Sequence, residues 1–221
     1  MYQAVQGTMD KKESIILVGG GGHCKSVINV IEKGNRFEIA GIIDKAENVG
    51  KEILGYSIIG TDTGFLEKGK LEFRILITVG HIKNVGPRAS LFKKFKQKGF
   101  IFPVIQSPTA DVCAYSVIGE GTVVFGQAFV NAGVQTGKNC ILNTGSIVEH
   151  ETTIGDHTQV STGAIVNGQC NIGSRCFVGS GSVVNNNVNI CDDVVIGSGS
   201  VVRSNILNPG VYAGNPLNKL T

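Results

Sequence analysis

The sequence is poor in the residues that build aromatic cores, metal sites and disulfide frameworks. It has no Trp, 2 Met and 5 Pro in 221 residues, and aromatic residues make up 6% of it. None of the 6 Cys belongs to a Cys-x-x-Cys pair, which argues against a zinc site or a disulfide framework. We therefore expect a core of small aliphatic side chains, no bound metal, and a reducing compartment such as the cytoplasm.

Long apolar runs are also missing. No stretch approaches eighteen consecutive apolar residues, so no membrane insertion is expected. Residues 1–13 lack the apolar centre of a secretory signal. We expect them to be flexible, and residues 1–8 to be an extension with no role in the fold. No Gly-x-Ser-x-Gly motif follows a strand, which disfavours a Ser-His-Asp hydrolase.

The two halves of the chain carry net charges of opposite sign. Residues 1–105 carry 16 Lys or Arg and 10 Asp or Glu, a net +6, whereas residues 106–221 carry 4 and 7, a net −3. An excess of this size favours an anionic small molecule, such as a nucleotide diphosphate, but is too diffuse for a nucleic-acid interface. A solvated helix face from Lys93 to Lys98 explains much of the excess without any ligand.

The most regular feature is a six-residue period over residues 112–207. Fifteen of the sixteen leading positions are aliphatic, and the fifth position of each hexad is small or compact. This period indicates a parallel β-helix in which three hexads make one coil of eighteen residues. The alternative is a sandwich of alternating strands, which would show period two and turns of variable length.

A second repeat in the same region consists of glycines. Gly119, Gly137, Gly155 and Gly173 are spaced by eighteen and therefore share one edge of the predicted coil. Because glycine tolerates positive φ, we expect these residues to form sharp corners. The walls of the coil are expected to be open and polar, so the repeat by itself does not indicate neighbouring subunits.

The first hundred residues alternate between strand and helix patterns. They predict strands at residues 14–18, 37–44, 73–79 and 100–105, and helices at residues 26–33 and 87–98. A strand, a glycine turn, a helix and a second strand open a doubly wound, Rossmann-like α/β unit. We therefore predict an α/β domain at residues 1–106 and an all-β coil at residues 107–221, with a tail from residue 208.

The glycine turn at residues 19–22 could hold a phosphate. The motif Gly-x-Gly-x-x-Gly would need glycine where Cys24 stands, which weakens an NAD-binding interpretation. A glycine loop at a helix N-terminus can still cradle a phosphate or approach a sugar closely. Asp44 ends the second strand, where an acid commonly reaches a ribose. The alternatives are a plain tight turn and a solvated loop acid.

His150 is the most informative of the four histidines. It is third in its hexad, between Glu149 and Glu151, so its side chain should point away from the coil. Residues eighteen apart stack on successive coils about 4.8 Å apart, which places His150 between Ala132 and Gly168. A base beside an accessible backbone N–H suits acyl transfer, with either acid fixing the imidazole tautomer. The alternative is a surface histidine between two acids.

Two other histidines are interpreted as structural. His157 stacks with Asn139, Arg175 and Asp193 in a polar column that should be a solvated face. His81 follows the third predicted strand and is expected to be a loop residue rather than a catalyst.

Several stretches resemble bacterial sugar acetyltransferases of the PglD/NeuD type. The matching stretches are residues 18–24, 42–44, 78–80, 142–155 and 210–216. They extend over nearly the whole chain, from about Ser14 to Leu220, and the most specific one reads LNTGSIVEHETTIG. The resemblance implies a left-handed β-helix after the α/β domain, a homotrimer, and acetyl-CoA lying along the coil between neighbouring subunits.

The resemblance also assigns roles to individual residues. His150 matches the general base, and Glu151 matches the carboxylate that orients it. The residues that match the sugar-nucleotide site are Gly21, Gly22, His23, Asp44 and Gly80. Asn143 matches an asparagine that helps to place the acceptor. The residues that match the CoA site are Gln159, Gly168, Ser180 and Ser198, with the Gly168 amide directed toward the thioester oxygen. Two positions depart from the family. In the sugar-nucleotide site, Lys45 stands where relatives can have a second acid. In the CoA site, Gln159 stands where a relative has a histidine.

The expected function is N-acetylation of a nucleotide-linked amino sugar by acetyl-CoA, for the synthesis of a bacterial surface glycan. No metal and no covalent acyl-enzyme are required, because Cys140, Cys170 and Cys176 should point into the coil. The alternatives are O-acetylation of a sialic-acid-type sugar and a β-helix scaffold without catalysis. A scaffold would lose no measurable property on His150→Ala.

Overall fold

The computed structural model describes residues 12–67, 72–82 and 84–220. The expectations for residues 1–11, including the extension at residues 1–8, lie outside the described residues. Glu13 is described, and it begins the first strand instead of belonging to a flexible segment. Within the described ranges, no helix is long and apolar enough to cross a membrane.

The chain begins with an α/β domain. Its elements are β1 (Glu13–Val18), α1 (Gly22–Gly34), β2 (Phe37–Ile43), a short 3-10 helix (Ala46–Asn48), β3 (Glu52–Ile53), β4 (Tyr56–Gly60), α2 (Asp62–Glu67), β5 (Arg74–Ile77) and α3 (Gly86–Gln97). The sheet has the order β3-β4-β2-β1-β5 and is parallel except for β3. The strand order reverses at β1, so the crevice at its carboxyl end is where sheets of this kind bind ligands.

Strand β1 is buried on both faces. Ile15 and Leu17 pack with α1, and Ile16 and Val18 pack with the phenylalanines of α3. A parallel strand covered on both sides needs apolar residues at every position, and this explains why SIILV is continuous rather than alternating.

Three parts of this domain differ from the prediction. The hairpin of β3 and β4 and the helix α2 were not predicted. The strand predicted at residues 100–105 is reduced to one bridge between Ile101 and Arg74, and Ile105–Gln106 pairs with Val123–Val124 in the coil instead. Pro103 has no amide hydrogen for a ladder, which accounts for the break. The domain boundary at residue 106 stays a prediction.

The rest of the described chain is a left-handed parallel β-helix with three walls, as predicted. The domain wall, which faces the α/β domain, contains β6 (Ile105–Gln106), β8 (Val123–Val124), β11 (Ile141–Leu142), β14 (Gln159–Val160), β17 (Phe177–Val178), β20 (Val194–Ile196), β22 (Gly210–Ala213) and β23 (Asn218–Lys219). The apolar wall contains β7 (Asp111–Val112), β9 (Phe129–Val130), β12 (Ile147–Val148), β15 (Ile165–Val166), β18 (Val183–Val184) and β21 (Val201–Val202). The polar wall contains β10 (Gln135–Thr136), β13 (Thr153–Ile154), β16 (Asn171–Ile172) and β19 (Asn189–Ile190).

The walls differ in what their outward side chains meet. On the domain wall these residues are buried under the α/β domain, among them Val123, Ile141, Gln159 and Phe177. The polar wall exposes Gln135, Thr153, Asn171 and Asn189. The apolar wall presents a half-exposed ladder of Phe129, Ile147, Ile165, Val183 and Val201. The expectation of uniformly polar walls is therefore wrong for the apolar wall.

Three cysteines belong to the interior of the coil. Cys140, Cys170 and Cys176 are buried, and each thiol lies within hydrogen-bond reach of a carbonyl fifteen residues later, at 3.0 to 3.2 Å. Burial raises the pKa of Cys140 and of Cys176 to about 12. Cys140 and Cys176 are structural, because a thiol with so high a pKa supplies almost no nucleophilic thiolate at neutral pH. Burial also raises the pKa of Cys170.

The edge glycines act through close packing, and the expectation that they supply positive φ is wrong. A β-carbon on Gly173 would lie 2.5 Å from the backbone nitrogen of Asp192 in the next coil. The positive φ angles fall two residues after each edge glycine. The residues that adopt them are Gly121, Asn139, His157 and Arg175. Each edge glycine is therefore required by the short distance between coils, whereas the residue two positions later carries the backbone reversal.

Arg88 of α3 joins the α/β domain to the coil. Its side chain is fully buried, and Nη1 donates to the carbonyls of Ile77 (2.7 Å) and Val79 (2.9 Å). Nε donates to the carbonyl of Asn139 on the coil, at 3.1 Å. Burial lowers the pKa of Arg88 to about 10, so the guanidinium stays charged at neutral pH. The loop after β5 is thus fixed against the domain wall.

Replacing Gly173 by Ala should lower the free energy of unfolding by about 2 kcal/mol, because the methyl group would force two coils apart. Gly60→Ala is the matched control: its β-carbon would meet nothing within 4 Å, and a change within about 0.5 kcal/mol is expected. Denaturant unfolding of both variants measures the difference. Equal stabilities would contradict the packing role of the edge glycines.

Candidate active site

A cavity of about 360 Å³ lies at the carboxyl ends of β1, β2 and β5. Asp44 and Lys45, predicted from the sequence, both line it, together with Gly19. The Asp44 carboxylate accepts a hydrogen bond from Asn48 Nδ2 at 3.0 Å. A β-carbon on Gly20 would lie 2.8 Å from Asp44 Oδ2, so glycine allows the acid to lie against the turn.

The start of α1 is open beside this crevice. Gly21 is the N-cap and Gly22 the first helical residue, and no side chain caps the helix. A β-carbon at either position would meet no atom within 4 Å. The first N–H groups of a helix have no partners within the helix and carry partial positive charge, which suits a phosphate.

A second cavity, of about 540 Å³, lies between the α/β domain and the domain wall. Three predicted site residues line it, namely His23, Gly80 and Gln159. The His23 ring packs against Phe125 with centroids 5.5 Å apart. His81 lines this cavity as well, and it is a buried residue rather than a freely exposed loop histidine.

His150 lies at the corner between the apolar and polar walls, here called the His150 corner (residues 149–152 and 167–170). Its side chain is 51% exposed and points off the coil, as predicted from its place in the hexad. A β-carbon on Gly168 would lie 2.5 Å from His150 Nε2, so the imidazole occupies the space above Gly168. Any larger residue at position 168 would displace the ring.

The Gly168 amide is free at this corner. Among the hydrogen bonds of the described residues, its N–H has no acceptor, whereas its carbonyl accepts from Asn187 N at 3.1 Å. A backbone donor next to an imidazole provides both groups that acyl transfer needs, a proton acceptor and a stabiliser of an oxyanion.

The two acids beside His150 have different roles. Glu149 Oε2 accepts from Asn131 Nδ2 at 2.6 Å and is held on the neighbouring coil. Glu151 Oε2 lies 3.4 Å from His150 Nδ1 and accepts from Gln169 Nε2 at 2.9 Å. The hydrogen bond from Gln169, and then that from His150, lowers the pKa of Glu151. Of the two acids, Glu151 is therefore the one placed to orient the imidazole.

Three other predicted coil residues lie at a different corner. Asn143, Ser180 and Ser198 lie between the domain and apolar walls, in residues 143–146, 161–164, 179–182 and 197–200, here called the serine corner. Ser180 and Ser198 are exposed, and Ser180 Oγ lies 2.9 Å from Ser161 Oγ. Asn143 Oδ1 accepts from the backbone N–H of Thr144 at 2.9 Å.

A single chain does not bring the predicted residues together. Around the triangular coil, the His150 corner is the edge opposite the domain wall, on which the α/β domain packs. His150, Glu151 and Gly168 are thus separated from His23, Gly80 and Gln159 by the width of the coil. The two groups can form one site only between two copies of the chain.

His157 is structural, as predicted, but its surroundings are not a solvated face. Its Nδ1 lies 3.0 Å from Asn139 Nδ2, and its ring packs edge-on against Phe92 of α3 with centroids 5.5 Å apart. Burial lowers its pKa. The residue contributes to the junction between α3 and the coil.

No cluster of three or more His, Cys, Asp or Glu side chains suited to a metal ion occurs in the part of the chain that the structure describes. All six cysteines are unpaired thiols.

Comparison with known families matches both parts of the chain. Residues 14–95 match the PglD N-terminal domain, and residues 169–204 match the bacterial transferase hexapeptide of six repeats. No curated protein sequence matches the chain significantly.

Solved structures resemble the chain over almost its full length. The acetyltransferase domain of PglB from Neisseria gonorrhoeae is 29% identical, with a TM-score of 0.86 over 95% of this chain and 100% of that one. The same domain in complex with acetyl coenzyme A is aligned at 27% identity, with the same TM-score and coverage. A mutant perosamine N-acetyltransferase from Caulobacter crescentus, in complex with CoA and GDP-perosamine, is 26% identical, with a TM-score of 0.85 over 94% of this chain and 97% of that one.

The fold and these matches define the class of the protein: a PglD-type α/β domain followed by a hexapeptide-repeat, left-handed β-helix. The resemblance to PglD/NeuD-type sugar acetyltransferases, indicated by the sequence, is confirmed.

Gly168→Ala should displace the His150 imidazole while leaving the fold intact, because the added methyl group would meet only the end of an exposed side chain. Crystal structures of the wild type and the variant would show the ring moved. Gly22→Ala, with no atom within 4 Å of the added carbon, is the control and should leave His150 in place. An unmoved ring in the Gly168 variant would contradict the proposed contact.

Proposed function

We propose that the protein is an acetyl-CoA-dependent N-acetyltransferase acting on a nucleotide-linked amino sugar. The observation that carries the proposal is the arrangement of the His150 imidazole over Gly168, with Glu151 at the opposite ring nitrogen. The neighbours support it, because they include a perosamine N-acetyltransferase with CoA and GDP-perosamine and an acetyltransferase domain with acetyl coenzyme A.

In this mechanism the sugar amine attacks the thioester carbon of acetyl-CoA. His150 Nε2 accepts the proton that the amine loses, while Glu151 holds Nδ1–H and stabilises the imidazolium that forms. The free N–H of Gly168 donates to the oxygen on which negative charge develops. The carbon–sulfur bond then breaks, and the CoA thiolate leaves and takes up a proton. No step passes through an acyl-enzyme.

The nucleotide part of the acceptor is assigned to the crevice of the α/β domain. Its phosphates would lie at the open start of α1, formed by Gly21 and Gly22, and its ribose or base beside Asp44 and Lys45. Lys45, next to Asp44, adds a positive charge that favours the binding of an anionic ligand. The sugar would then extend past Gly80 and His23 toward the coil.

We infer a homotrimer from the apolar wall. Five apolar residues eighteen apart form an unbroken ladder on that wall, whereas the corresponding ladder on the polar wall consists of Gln, Thr and Asn. A continuous, partly exposed apolar strip of this kind is typical of an interface. Three copies related by a threefold axis along the coils would each turn this wall inward, in a closed symmetric assembly.

Such an assembly supports a site shared between subunits. The His150 corner and the serine corner are the two edges of the apolar wall. When the walls of two copies meet, the His150 corner of one copy approaches the serine corner and the α/β domain of the next. CoA would lie in that groove, against Gly168 of one copy and against Gln159, Ser180 and Ser198 of the other. Asn143 would then lie near the acceptor.

We assign the reaction to the bacterial cytoplasm, in the synthesis of a surface glycan. Six unpaired cysteines are compatible with a reducing compartment, and the comparisons include bacterial sugar acetyltransferases.

Thiol release from acetyl-CoA should occur with one or more nucleotide-linked 4-amino or 3-amino sugars. His150→Ala should lower kcat by about 10²- to 10⁴-fold, because the amine then has no proton acceptor. His157→Gln, a histidine change outside the proposed site, should retain most of the activity. Turnover only with sialic acid would indicate O-acetylation, and equal rates with and without His150 would contradict the mechanism.

Ile165→Asp should convert the trimer to monomers, because it places a charge in the centre of the apolar wall. Turnover should be lost as well, although His150 and the residues of the sugar site are intact. Asn171→Asp, with the same new charge on the polar wall, should remain trimeric and active. Light scattering after gel filtration and the thiol assay provide the two measurements. An active monomer would exclude a shared site.

A further inference from the structure

The cavity between the α/β domain and the domain wall contains buried polar atoms that have no hydrogen-bond partner among the residues that the structure describes. They are His23 Nε2, Nδ1 and Nε2 of His81, and Gln159 Oε1. His81 and Gln159 are each only 8% exposed, and both line the cavity. A buried polar atom without a partner costs roughly 1–3 kcal/mol, so folded proteins contain few of them. Four such atoms at one cavity are available to hydrogen-bond a polar ligand.

The two histidines of the cavity are neutral hydrogen-bonding groups. Burial, followed by the nearby Arg88 guanidinium, lowers the pKa of His23 to about 3 and that of His81 to about 4. Both rings are therefore neutral at pH 7, and each offers one N–H donor and one acceptor nitrogen. Arg88 directs Nε and Nη1 to backbone carbonyls, whereas its buried Nη2 has no partner among the described residues.

The shape of the cavity is compatible with a sugar ring. The His81 ring stands edge-on to Phe177 with centroids 6.3 Å apart, and Ile82 adds apolar surface. A sugar carries hydroxyl and amino groups on a ring of carbon atoms. These groups can hydrogen-bond the donors and acceptors of the cavity, while the ring carbons pack against its apolar side chains. Gly80 immediately precedes His81, and it follows β5, whose carboxyl end borders the nucleotide crevice. A sugar attached to a nucleotide in that crevice can therefore reach His81.

We propose that His81 determines specificity for the amino sugar, by hydrogen-bonding a ring substituent of the acceptor. This inference rests on the proposed function and adds a residue to its acceptor site. His81 does not take part in proton transfer, which belongs to His150. It selects among sugars because an acceptor without the matching hydroxyl or amine leaves the buried ring nitrogens unpaired.

The test compares His81→Phe with the wild type. Phenylalanine keeps a ring against Phe177 and removes both nitrogens. Calorimetry would measure binding of UDP and GDP alone, of GDP-perosamine, and of UDP-linked 4-amino and 3-amino sugars. We expect unchanged binding of the bare nucleotide and at least about tenfold weaker binding of the preferred nucleotide sugar. His81→Gln, which keeps a donor and an acceptor, should recover part of the loss. His157→Phe is the control outside the cavity.

Kinetics separate this inference from the proposed function. In His81→Phe, the KM for the preferred amino sugar should rise and the KM for acetyl-CoA should not change. If the wild type acetylates an amino sugar and His81→Phe binds it equally well, the inference is wrong and the proposed function stands. If the variant also loses the bare nucleotide, His81 is only structural. If the wild type neither binds nor acetylates any of these sugars, both fail.

Discussion

The constant eighteen-residue register between successive coils is the constraint on which the rest of the structure depends. Ile147 pairs with Ile165 and Thr153 with Asn171, and the same parallel ladder continues along each wall. Because the strands from β6 to β21 are only two or three residues long, an insertion within a strand would move the adjacent side chains off their ladder. The edge glycines maintain this register, since the coils approach too closely there for a β-carbon. His150 and Gly168 are in contact for the same reason, being one coil apart.

The three walls of the triangular coil have different surroundings. One wall is covered by the α/β domain, one exposes amides and hydroxyls, and one presents the apolar ladder. The His150 corner is opposite the covered wall, so the proposed base and the proposed sugar site of one chain are on opposite sides of the coil. Assembly through the apolar wall resolves this separation. In this proposal the oligomer is part of the active site, because only a second copy brings the acceptor to His150.

The junction between the domains is held by several fixed contacts, and it also contains polar atoms that are free to bind a ligand. Arg88 fixes the loop after β5 to the coil through three carbonyls, and His157 packs against Phe92 at the same junction. The loop carries His81 into a cavity where several polar atoms remain without partners. A rigid cavity with unpaired donors and acceptors is preorganised for a ligand, because little conformational entropy remains to be lost on binding.

The sequence alone determined the coil, its period and the pairing of His150 with Gly168, because each depends on spacing along the chain. It also indicated Asp44 and the glycine turn, which follow directly after strands. Only the tertiary structure showed that His81 faces Phe177 and Gln159, or that Arg88 reaches the Asn139 carbonyl, since these contacts join segments distant in sequence. The apolar wall can be recognised in the sequence by apolar residues spaced eighteen apart. Each of them comes one position before the leading aliphatic residue of a hexad. Which wall the α/β domain would cover, and which would stay free, depended on how the two domains pack.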